Sequence, residues 1–130
     1  MNRPINPVAM PAPLSNYSHA MAVPEGARLL VCSGQLGARA DGSIPEGAEE
    51  QARICFDNVR ALLAEADMDF GDVVRINAFV TGREHMAPYM EVRNELFAAQ
   101  PWPASTLLIV SGFSKPEFVV EVEVIAAKVG

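Results

Sequence analysis

The residues best suited to chemistry lie in three short stretches. In FVVEVEVIAA, residues 118–127, Glu121 and Glu123 alternate with Val120, Val122 and Val124. A strand there turns both carboxylates to one face and the valines to the other. A carboxylate within hydrogen-bond reach of a water can activate it, and of two that share a face the less solvated has the higher pKa and carries the proton better. In VCSGQLG, residues 31–37, Ser33 precedes Gly34 at the point where a strand breaks into a loop. A glycine there permits close backbone approach to a ligand, although a serine in such a place more often stabilises a turn. The flanks do not fit GxSxG and no histidine or acid is arranged around Ser33, so no nucleophile elbow is expected. PWPASTLLIV, residues 101–110, sets Ser105 at the mouth of an apolar strand, where pockets collect polar groups. His19 and His85 lack metal-ligand spacing, and neither a metal nor a cofactor is expected.

The elements that must position these residues can be read from periodicity. Four prolines, Pro4, Pro7, Pro11 and Pro13, make residues 1–14 an arm that excludes helix and inner strand. Residues 15–130 then form one domain. Strands are expected over 18–23 and 28–34, joined as a hairpin through the turn PEGA. From about 46 to 66, Ala52, Cys55, Phe56, Val59, Leu63 and Ala66 recur at spacings of three and four, the stripe of a half-buried helix. DVVRINAFV reads as a strand with Val74, Ile76, Ala78 and Val80 on one face and Arg75, Asn77 and Phe79 on the other. A second helix is expected over 88–99, with a capping box at Thr81 and Glu84, followed by strands over 106–110 and 118–128. This order predicts an α+β fold in which two helices cover one face of a mixed sheet. The other face carries Glu121 and Glu123 but also Phe79, Val119 and Ile125, a mixture that often marks an oligomer interface.

Composition narrows the function classes. A chain of 130 residues can bury a core without staples. Its net charge is -6 with no local cluster of Lys and Arg, which disfavours phosphate backbones, so no nucleic-acid partner is expected. No apolar run approaches the roughly 20 residues of a membrane span, and the proline-rich start has no signal core; a cytoplasmic protein is expected. Cys32 and Cys55 read as buried free thiols.

Four features together, NYSHA, VCSGQLG, the unit from EEQARICFDNVRALL to RINAFV, and WPAST with the acidic final strand, resemble the RidA (YjgF) family of reactive-intermediate deaminases. The resemblance implies a chorismate-mutase-like fold, a homotrimer with clefts between subunits, and hydrolytic deamination of enamines or imines. It assigns catalysis to Glu121 and Ser33, and places Tyr17, Gly34, Met90, Ser105, Thr106 and Leu107 around the small-molecule ligand. Three positions depart from the family pattern. Ser105 stands where active members hold the substrate carboxylate with an arginine, Leu107 where many have cysteine, and Met90 where some have asparagine. Losing that arginine contact costs about 1.5 to 3 kcal/mol, one to two orders of magnitude in affinity. A neutral ligand is therefore expected, and a general 2-aminoacrylate deaminase is not. Arg93, one turn from Met90, is the first candidate to replace the arginine, and Arg75 the second, although a cross-sheet salt bridge to Glu121 or Glu123 is the commoner fate for either. A non-catalytic binding trimer is the alternative reading.

Overall fold

The computed structural model describes residues 1–130. The chain runs β1 (Arg3–Ile5), β2 (Ala20–Ala22), β3 (Arg28–Val31), β4 (Gln35–Leu36), α1 (Ala48–Glu65), β5 (Val73–Val80), α2 (Met86–Leu96), β6 (Ala104–Ile109) and β7 (Val120–Lys128). The main sheet has the order β3-β7-β5-β6, with β4 also paired to β7. β5 and β6 are parallel because α2 carries the chain back between them; β7 is antiparallel to each of its neighbours. The architecture is the expected α+β fold.

One pairing differs from expectation. β2 does not form a hairpin with β3 but pairs with β1, Pro4 opposite Met21, in a separate two-stranded ribbon. A ribbon of two strands is all edge, where a proline's missing N–H is tolerated, so the prolines exclude an inner strand without excluding this outer one. β3 instead pairs with the end of β7, Val31 opposite Ile125.

The core follows the two periodicities. Ala52, Cys55, Phe56, Val59 and Leu63 of α1 are buried against Ile76, Ala78 and Val80 of β5 and Val120, Val122 and Val124 of β7. Each large side chain so buried contributes about 1.5 to 3 kcal/mol of transfer free energy. Phe56 stacks on Tyr89, with ring centroids 6.1 Å apart, and meets Phe97 edge-on at 5.7 Å, which seats α2 against α1. Gln51 is a buried polar exception on α1. Its amide donates to the carbonyls of Pro45 and Glu117 and accepts from Val119 N–H, each at 2.9 Å, so it fixes the approach to β7.

The Thr81–Glu84 capping box does not form. Residues 83–85 make one 3-10 turn, and α2 starts at Met86 with no side-chain cap. Pro88 sits in its first turn, where the missing N–H has no helical partner to lose. β6 begins at Ala104 rather than 106, which puts Ser105 inside the strand, paired with Ile76. No helix is long and apolar enough to cross a membrane.

Candidate functional site

The sheet divides the candidate residues between its two faces. Glu121 pairs with Phe79 and Glu123 with Asn77, opposite in facing to the buried valines of β7. Gly34 lies against Glu121: a Cβ on Gly34 would stand 2.6 Å from the Glu121 carboxyl carbon and 2.9 Å from both carboxylate oxygens. A side chain at position 34 would therefore push the carboxylate aside, and glycine leaves it in place. Ser33, the preceding residue, is exposed, and its carbonyl accepts a hydrogen bond from the Gln35 amide at 2.9 Å. Burial raises the Glu121 pKa above the ordinary glutamate value, and the neighbouring Glu123 charge raises it further. That is the direction a proton-carrying carboxylate needs.

Thr106 and Arg75 lie on the same open face. Arg75 forms no salt bridge to Glu121 or Glu123, contrary to expectation. Its Nε donates to Asn77 Oδ1 at 2.8 Å and its Nη2 to Thr106 Oγ1 at 2.7 Å, while Asn77 donates to Glu123 Oε1 at 3.1 Å. Asn77 stands between cation and anion, so the contact runs through its amide.

The second group faces the helices. Ser105 pairs with the core residue Ile76 and so points toward α2, where the Arg93 Nη1 donates to its hydroxyl at 3.3 Å. Arg93 is buried, and its remaining hydrogen bonds go to Ser15 and Asn94. Met90 and Leu107 are half-buried beside the core. Tyr17 is held nearby because Ser18 bridges to Ala104, its N–H donating to Pro103 O at 3.0 Å and its hydroxyl to Trp102 O at 2.6 Å. The Arg93 pKa is lowered by burial, an effect the phenols of Tyr89 and Tyr17 oppose. Ser15 and Asn94 escaped the sequence reading, since no spacing rule connects positions so far apart.

Ser33, Gly34, Glu121 and Thr106 therefore share one face, whereas Ser105, Leu107, Met90 and Arg93 occupy the other. A cavity of about 320 Å³ by Met1, Asn2, Asp72 and Lys128 includes none of them.

A model of the endoribonuclease L-PSP family matches residues 8–128. The RutC family protein YjgH of Escherichia coli K12 is 35% identical over 113 residues, 86% of this chain and 84% of YjgH. TdcF of the same organism, provisionally named a reactive intermediate deaminase, is 28% identical over 89 residues, 67% of this chain and 68% of TdcF. A crystal structure of E. coli TdcF with bound serine is similar at a TM-score of 0.72 and 26% identity, covering 97% of this chain and 98% of that one. YyfB of Yersinia pestis, a Rid family protein of unknown function, reaches a TM-score of 0.86 at 25% identity over 98% of both chains.

Proposed function

Because the chain belongs to the endoribonuclease L-PSP family, also known as RidA/YjgF, we propose that it hydrolyses a reactive enamine or imine to a carbonyl compound and ammonia, as a cytoplasmic homotrimer. The observation that carries this reading is the Glu121 carboxylate packed on Gly34 with its pKa raised. An enamine first tautomerises to the imine. Glu121 then takes a proton from water as the oxygen adds to the imine carbon and gives it to the nitrogen; it next carries the proton of the new hydroxyl to that nitrogen, which leaves as ammonia as the C–N bond breaks and the carbonyl forms. In this reading the Ser33 hydroxyl and the amides beside Gly34 hold the developing tetrahedral centre.

The division of the site supports the trimer. Ser105 and Glu121 lie on opposite faces of one sheet, so a single copy cannot bring both to one substrate. The open face also exposes Leu29, Val31 and Leu108, which suit a contact with a second copy. An RNA substrate is disfavoured, since the chain carries a net charge of -6 and that face carries Glu121 and Glu123.

The test is ammonia release from imines generated freshly from several amino acids by a pyridoxal-phosphate enzyme. The wild type should accelerate release, and Glu121→Gln should lose most of the acceleration. Turnover that survives Glu121→Gln removes the carboxylate from the mechanism. Ligand binding without any turnover would establish the binding module instead, and a monomer at micromolar concentration in sedimentation would overturn the shared cleft.

A further inference from the structure

A polar chain runs from the core to the loop beside Glu121. It starts at Cys55 of α1, whose fully buried thiol donates to the Gln35 carbonyl at 3.1 Å. Burial pushes the pKa of this thiol up to about 12, and the Glu121 charge adds to the push, so at neutral pH it keeps its proton and remains a donor. Gln35 is also paired with Val122, and Leu36 with Glu121 itself. β4 is thus tied to α1 through a side chain and to the strand of the acid through its backbone.

The Gln35 side chain passes this order two residues back. Its Nε2 donates to Ser33 O at 2.9 Å. The Ser33–Gly34 peptide is trans, so its carbonyl and its N–H point to opposite sides, and a grip on the Ser33 carbonyl also aims the Gly34 N–H. That N–H donates to no other atom of the protein. It belongs to the residue that packs on the Glu121 carboxylate, where a Cβ would stand 2.6 Å from the carboxyl carbon. Nothing else fixes the peptide: Ser33 is exposed and outside any strand, and glycine has the widest backbone range of any residue.

We propose that Gln35 is a positioning residue of the hydrolytic site: from the anchored β4 it holds the Ser33 carbonyl and so aims the Gly34 N–H at the oxygen that water delivers to the substrate carbon. This role rests on the hydrolytic reading and adds to it a side chain that touches neither water nor substrate. The oxygen gives its proton to Glu121 as the carbonyl forms, and the charge it carries at that moment is what the N–H stabilises. A donor fixed beforehand needs no reorganisation when the charge develops. The substrate has no such oxygen until water adds, so the aim bears on turnover and leaves binding almost untouched.

The experiment compares Gln35→Met, which keeps the length and adds no charge but cannot donate, with Gln35→Glu, which keeps the shape and, ionised at neutral pH, can only accept. In ammonia release both variants should lose about ten- to a hundredfold in kcat while KM stays within about twofold of wild type. Their urea midpoints should stay near wild type, since one solvent-facing hydrogen bond contributes little to the whole fold. Relaxation of the Gly34 amide nitrogen in NMR needs no turnover. It should give an order parameter of about 0.85 in wild type and below about 0.6 in both variants. A glutamine that only fills space predicts the opposite for Gln35→Glu, with full kcat and a rigid amide. Full kcat in Gln35→Met, a loss confined to KM, or a Gly34 amide as rigid in Gln35→Met as in wild type would overturn the proposal. If the wild type releases no ammonia the hydrolytic reading falls, and the relaxation result alone then upholds or overturns the hold of Gln35 on the peptide.

Discussion

Replacing Gly34 by alanine separates the chemistry of Glu121 from the stability of the fold. The added Cβ would stand 2.6 Å from the Glu121 carboxyl carbon. Carbons in contact settle at about 3.5 to 4.0 Å, so the carboxyl must retreat by about 1 Å. Gly34 is not among the glycines with positive φ, so alanine fits the backbone and stabilises by about 0.4 to 1 kcal/mol through the unfolded chain. Turning the end of a flexible glutamate off its preferred rotamer costs about 0.5 to 1.5 kcal/mol, and the two effects nearly cancel. Misplacing a catalytic group by about 1 Å, however, can lower the rate about a hundredfold, equivalent to about 2.7 kcal/mol of barrier. The assay pairs ammonia release at low substrate with urea unfolding. Gly34→Ala should keep its unfolding midpoint near wild type, lose about two orders of magnitude in kcat/KM, and add little to the loss in Glu121→Gln when the two are combined. Near wild-type turnover, or losses that multiply in the double variant, would refute the placement of the general base.

Three further outcomes follow from the same geometry. Gln51→Leu keeps the volume but strands two carbonyls and the Val119 N–H, and should cost about 2 to 4 kcal/mol in chemical denaturation; a cost below about 1 kcal/mol would mean that the residues before β7 do not depend on it. The raised pKa of Glu121 means that the folded chain holds this proton more tightly than the unfolded chain, so stability is lost as pH rises from the ordinary 4.5 through the higher folded value. Urea midpoints should accordingly show Glu121→Gln gaining on wild type across that window, modestly because the group is partly solvated, and a gain in the opposite direction would contradict the shift. Tyr89→Phe removes a buried hydroxyl that has no partner, and should leave stability unchanged or raise it by about 1 kcal/mol in thermal unfolding; a loss of that size would mean that the hydroxyl is bonded.

Much of the architecture was legible in the chain because its physics is local. A spacing of three and four in α1, and strict alternation in β5 and β7, each bury one stripe, and the structure buries Phe56, Ile76 and Val122 as those periods require. The facing of Glu121 was legible for the same reason, since alternation fixes both faces of a strand at once. Strand partners were not. That β2 pairs with β1 while β3 pairs with the end of β7 depends on how distant segments compete for edges, and the PEGA turn is compatible with either outcome. Local sequence also placed Ser105 at the strand mouth, because the two residues that begin β6 carry no strand signal of their own.

The sequence by itself determined the two helices, the alternating faces of β5 and β7 and the serine at position 105. Only the tertiary structure decided what stands beside Ser105. Arg93 reaches Ser105 because β6 runs parallel to β5 and turns position 105 toward α2, and it is held there by Ser15, a residue in the loop before β2. Charge and hydrogen bonding at a buried point depend on every element that converges there, and no spacing along one chain records that convergence.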